Sequence, residues 1–128
     1  MKPVRGTVNY VELIGWLGNE PEQRYTPSGV AIAEFSVATK RLGNRNEDGS
    51  WNYDTDWLDV VAWDQLAETA VANLRKGSRV RVTGSLRTDT WEDRDGNKRK
   101  RVMVRADDIL FLDSRSTLDE SASGDTPF

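Results

Sequence analysis

The stretch that most constrains the fold is residues 51–63, WNYDTDWLDVVAW. A β-strand presents its side chains alternately on two faces. On that period Leu58, Val60 and Ala62 share one face, and Trp57, Asp59, Val61 and Trp63 share the other, with Trp51 and Tyr53 continuing the second parity. The apolar triplet has the size and shape of a barrel interior. The opposite face offers flat indole rings beside polar neighbours, which suits a flat partner. It also suits a second buried face, because indole packs readily in cores. Laid straight, the stretch would run roughly 40 Å, about twice an ordinary strand. A bend is therefore expected, and a strongly bent strand points to a barrel.

A chain of 128 residues fits one domain with a real core. It holds no cysteine and no histidine. That excludes disulfides, thiolate metal sites, cysteine nucleophiles and Ser-His triads, and leaves no expected cofactor. No apolar run approaches membrane-spanning length and the N-terminus lacks a signal-peptide core, so a cytoplasmic protein without a membrane partner is expected. The net charge of −3 comes from 18 basic and 21 acidic residues, but its distribution is uneven. From residue 113 onward Asp113, Asp119, Glu120 and Asp125 face only Arg115, while the preceding residues hold 17 charges of each sign. A neutral body still binds a polyanion if its charges are sorted by face.

Residues 8–17 read as a strand containing Gly15, a glycine that marks a bulge, a bend or a close backbone approach. Its second face (Tyr10, Glu12, Ile14, Trp16) is too apolar to be wholly wet, and part of it is expected to contact another subunit. Residues 18–29 read as a turn-rich connection, 30–40 as a second strand and 41–50 as a polar loop with an Asp48-Gly49 turn. In 64–77, Leu66, Ala70 and Leu74 recur at helical spacing, with Asp64 expected at the N-cap, Arg75 and Lys76 at the negative end of the dipole and Gly77 just past the end. Residues 79–91 alternate cleanly. Val80, Val82, Gly84 and Leu86 are expected inside, with Arg79, Arg81, Arg87, Asp89 and Trp91 outside. Residues 93–96 form a hairpin turn into a fifth strand, 98–112, where Val102 and Val104 oppose Arg101, Met103 and Arg105.

Three strands, a helix and two strands is the order of the OB-fold, an all-β, five-stranded Greek-key barrel with its helix between strands three and four. Residues 113–128 are rich in serine and acid and poor in apolar side chains. They are expected to be a disordered acidic tail behind a domain spanning 1–112. The segments VELIGWLGNEPEQRYTPSG (11–29), TDWLDVVAWDQLAE (55–68) and LRKGSRVRVTGSLRTDTW (74–91), with the closing DTPF (125–128), resemble bacterial single-stranded DNA-binding proteins in four blocks in the same order.

That resemblance implies a homotetramer that binds single-stranded DNA, carries no catalytic site and serves replication, recombination and repair. It places Trp57, Trp63 and Trp91 at base-stacking positions, with Trp51 as a further candidate. The candidate phosphate contacts are Lys40, Arg41, Lys76, Arg79, Arg81, Arg87, Arg99 and Arg101. Asp125, Thr126, Pro127 and Phe128 match the tip through which such proteins recruit replication and repair partners. This chain departs from the family pattern at Asp59 and Asp89, which stand where basic residues are common, and its tip has a single acid. Those changes imply weaker phosphate contact and a smaller salt slope.

Two other function classes compete. A Mg²⁺-dependent nuclease could use Asp54, Asp56 and Asp59, or Asp107 and Asp108, as oxygen ligands, although no ligand-spacing motif stands out. A protein-interaction OB module of the primosomal adaptor type would keep the barrel but has no need of the tip or the tryptophans.

Overall fold

The computed structural model describes residues 4–113. Its elements are β1 (Val11–Leu17), β2 (Glu22–Tyr25), β3 (Ala31–Arg45), β4 (Trp51–Trp63), α1 (Asp64–Asn73), β5 (Arg79–Glu92) and β6 (Lys98–Phe111). Neighbouring strands run β1-β5-β6-β4-β3, and β3 returns to β1, so five strands close a barrel. The β4–β6 pair is parallel and the other pairs are antiparallel. This is the expected OB barrel. Its interior takes the alternate positions Phe35, Val37, Val60, Val80, Val82 and Val104, all at most 2% exposed. Ala67, Ala70 and Leu74, in α1 and just after it, pack onto the same core and bury the apolar stripe of the helix. Among the described residues no helix is long and apolar enough to cross a membrane.

Gly15 is needed at the barrel seam. A Cβ there would lie 2.1 Å from the carbonyl oxygen of Ala38, where β1 crosses onto β3. Gly84 is equally tight against the Arg105 carbonyl, and a register shift in the β5–β6 ladder falls at Thr83/Gly84. Both positions have the close backbone approach that only glycine permits.

The structure corrects several local expectations. The first strand begins at Val11, not at residue 8. Within the turn-rich connection, β2 forms a short strand that pairs with β3 outside the barrel closure. The expected polar loop 41–50 is mostly strand: β3 and β4 continue as a long hairpin to Arg45↔Trp51, leaving only a tight turn in which Gly49 takes φ 93°. Asp64 is not a side-chain cap. It takes φ 59° as the chain turns from strand into helix, a conformation Asp tolerates, and Trp63 precedes the helix without capping it. The helix stops at Asn73, so Gly77 (φ 90°) instead closes a turn from Arg75 to Ser78. Leu86 does not face a core. Beyond the Gly84 irregularity the β5–β6 hairpin runs past the barrel, leaving Leu86 and Val102 about half exposed.

Candidate functional site

Trp57 and Trp63 fall on one outer face of the barrel, and Trp91 stands farther out, on the β5–β6 hairpin. Register places them. Trp57 stands opposite Ala38 and Trp63 opposite Ile32, both on the outward parity of β3 and β4. On the far side of β6, Trp91 stands opposite Arg99 and Arg87 opposite Met103. Trp57 is the most exposed indole at 60%. Its ring edge lies over Gly18, where any Cβ would stand 2.4 Å from Trp57 Cζ3. The absence of a side chain at Gly18 therefore sets the indole's orientation.

Trp63 is half-buried. It packs on Ile32, Val61 and Met103, a small apolar cluster outside the barrel. The Arg105 guanidinium lies 4.7 Å from its ring centroid, a cation–π contact. Arg105 also stands near Arg87, and both line a cleft with Trp63, Arg24 and Asp89. Burial and the like charge of Arg87 pull Arg105 below the ordinary guanidinium range. Two crowded cations beside an indole favour an anion that can bridge them. Arg105 was not among the sequence candidates. It continues the Arg99–Arg101 parity on β6, so the same alternation pointed to it.

Trp91 lines a shallow groove with Lys98, Arg99 and Lys100 at the end of the β5–β6 hairpin. Arg99 pairs there with Asp93 at 2.9 Å. Trp51 sits at the far end of the β3–β4 hairpin, with the Arg45 guanidinium 5.6 Å from its ring. Leu42 and Tyr53, also exposed, form a cross-strand pair on the same hairpin.

The basic candidates divide. Lys40 is exposed on the Trp57 parity of β3. Arg41 falls on the reverse parity, held by Asp56 at 3.0 Å and Asp54 at 3.5 Å. Arg79 and Arg81 stand beside β1, not beside Trp91. Arg79 lies over the Trp16 ring and Arg81 is bonded to Glu12, which raises the Arg81 pKa. The single basic face read from the fourth strand is thus split by the coiling of β5 around the barrel. Lys76 lies in the connection after α1, its backbone N–H donating to Glu20.

Arg101 occupies the centre of the face, between β4 and β5, and is bonded to Glu34 and to Asp59. Glu34 also accepts from Arg24 at 2.9 Å. Burial pushes the Glu34 carboxyl up, but the bonds from Arg101 and Arg24 outweigh it and hold the group below the usual carboxylate range. Of the acids weighed as metal ligands, Asp54 and Asp56 are paired with Arg41 and Asp59 with Arg101, while Asp107 and Asp108 are exposed on β6. Among the described residues no three carboxylates gather as a metal site. The tip residues Asp125, Thr126, Pro127 and Phe128 lie outside the described residues.

Comparison with known proteins gives one consistent answer. The model of the single-strand binding protein family matches residues 8–112. A protein named single-stranded DNA-binding protein, from Caldanaerobacter subterraneus subsp. tengcongensis, is 42% identical over 110 residues, covering 85% of this chain and 71% of that one. A solved structure described as the Plasmodium falciparum SSB complex with ssDNA superposes with a TM-score of 0.74 at 32% identity, covering 87% of this chain and all of that chain.

Proposed function

The chain belongs to the single-strand binding protein family, and we propose that it binds single-stranded DNA without regard to sequence, on the outer face that carries Trp57 and Trp63 and on the hairpin arm that carries Trp91. The observation that supports this reading is the pair of outward indoles Trp57 and Trp63 on one barrel face beside Arg87 and Arg105, with Trp91 and Arg99 together on the hairpin arm.

The chemistry follows from what a single strand exposes. Its bases offer free π-faces, and stacking on an aromatic side chain contributes ~1–3 kcal/mol per base, whichever base it is. A duplex keeps those faces stacked internally, so strand state is discriminated without reading sequence. Lysine and arginine along the path neutralise phosphates and release counterions, so affinity falls as salt rises. Arg87, Arg105 and Lys40 flank the indoles and are the proposed phosphate contacts on the barrel. Arg99, Lys98 and Lys100 serve the hairpin arm around Trp91. No chemical step is involved: the protein holds and protects the strand.

The other roles belong to the same proposal. Tyr10, Ile14 and Trp16, each about half exposed on the outer parity of β1 and just before it, are the proposed contact with a second copy in a homotetramer. Residues 1–112 form the binding domain and residues 113–128 the acidic tail, whose tip recruits replication and repair proteins in the cytoplasm. Tryptophan fluorescence during titration with oligo-dT tests the central reading. Strong quenching by the single strand, little by a duplex, and weakening with salt are expected. Unchanged emission with oligo-dT would mean the indoles are packing residues.

A further inference from the structure

The middle of the tryptophan face carries charge of the wrong sign for a phosphate site. Glu34 on β3 is bonded to Arg24 on β2 and to Arg101 on β6, and Arg101 lies 3.3 Å from Asp59 on β4. Two further carboxylates border the group: Glu22 stands opposite Glu34 across the β2–β3 pair, and Asp89 opposite Arg101 across the β5–β6 pair. Asn19 and Ser36 complete the pocket around Glu34 and Asp59. Both arginines are already engaged by acids, and the acids outnumber them.

The position of this group matters as much as its charge. Asp59 is two residues from Trp57 on the same parity, and Glu34 stands opposite Val61, two residues from Trp63. At ~3.3 Å per residue the two indoles are roughly 20 Å apart, with the carboxylates between them. A phosphate reaching Arg101 would have to break two ion pairs and then lie beside the acids it displaced. A strand whose bases rest on Trp57 and Trp63 meets no such obstacle. In that pose the phosphates turn away from the carboxylates, toward Lys40, Arg87 and Arg105 at the flanks.

We propose that Glu34 and Asp59 are specificity-determining residues: an anion filter that admits a polyanion only when it enters base-first and so rejects duplex DNA and base-free polyanions such as heparin. The inference rests on the reading of this face as the single-strand site and deepens it. The filter acts by like-charge repulsion against wrong ligands, leaving stacking to select the right one.

The test uses the full chain and the variants Glu34→Gln, Asp59→Asn and the double variant. Dissociation constants are measured for oligo-dT, a duplex of equal length and heparin at one fixed salt, with unfolding curves as controls. Glu34→Gln also loosens Arg24, whereas Asp59→Asn, at a half-exposed side chain, leaves Arg24 paired; agreement between them separates repulsion from local packing. The double variant is expected to bind duplex and heparin about tenfold more tightly, while oligo-dT changes by less than about threefold. Equal tightening for all three ligands would show that phosphate reaches Arg101 in the single-strand complex and would overturn the proposal. So would no tightening for any of them. If oligo-dT fails to quench the wild-type tryptophans, the single-strand reading itself falls and the filter with it, a result distinct from the other two.

Discussion

Replacing Gly18 by alanine tests the site through a single methyl group. A Cβ at Gly18 would stand 2.4 Å from Trp57 Cζ3 and 2.9 Å from the Ser36 hydroxyl. Carbon atoms in contact need about 3.5–4 Å, so the indole edge must move by about 1 Å or more. Gly18 lies outside the left-handed region, so alanine adds no backbone strain there. The ring is 60% exposed and can swing toward solvent. Stability should therefore change by less than about 1 kcal/mol. Binding should lose much of the stacking at one base, ~1–3 kcal/mol, which corresponds to roughly 5- to 150-fold in Kd. Gly15→Ala is the reverse case. Its Cβ would stand 2.1 Å from the Ala38 carbonyl oxygen, within the barrel seam, where neither backbone can yield. It should destabilise the fold by about 2 kcal/mol or more. Oligo-dT titration of tryptophan fluorescence and urea unfolding, run on both variants, separate the two effects. A Gly18→Ala protein with wild-type stability, wild-type quenching and a Kd within about twofold of wild type would refute the role given to Trp57.

Three further outcomes are expected. Arg87→Ala should reduce the slope of log K against log salt by about 0.7, the contribution of one single-strand phosphate, while Arg41→Ala, whose arginine is already held by Asp54 and Asp56, should change it much less. Removing residues 114–128, which leaves in place the Asp113 bond to the Arg79 N–H, should tighten oligo-dT binding by roughly threefold at low salt and not at high salt, because a tethered acidic segment competes with phosphate; equal affinities at low salt would sink that idea. Glu34 has a folded pKa below its unfolded value of about 4.3, so its stabilisation is present above that pH and is lost as pH falls through the folded pKa. Unfolding curves should show Glu34→Gln less stable than wild type by about 1 kcal/mol near pH 6, with the gap closing as pH falls below the unfolded value.

What the sequence made legible was periodic. The alternation in residues 51–63 placed Val60 and Ala62 inside and Trp57 outside, and the structure agrees at each. Gly15 announced a close approach, and Leu66, Ala70 and Leu74 announced a helix against the core. What escaped depends on partners that no local pattern encodes. Residues 41–45 look like a loop because they are polar, yet they pair across a hairpin with no core beneath it. Leu86 keeps inward parity but has run past the barrel, so parity no longer means burial. At the site, alternation found the arginines but not their company. Glu34, far from Arg101 in sequence, neutralises it in space, and only the register of three strands brings them together. Gly18 escaped for the same reason: a glycine in a turn gives no sign that an indole from another strand lies across it.

The barrel's closure also sets when the protein becomes competent during synthesis. β1 pairs with β5 from Val11 to Trp16, Val11 meeting Gly84, and β4 joins β6 through Val60 and Val104. The β1–β3, β2–β3 and β3–β4 pairs find their partners early, among the first strands made. At ~5–20 residues per second the ribosome delivers the missing strands several seconds after β1 has emerged. Until then Phe35, Val37 and Val60 line a sheet with no opposite wall, and the Trp63 cluster lacks Met103. A nascent chain therefore carries some of its indoles without the cationic arm that accompanies them. Competence therefore waits on β6, the last strand to be made, which closes the cylinder between β5 and β4.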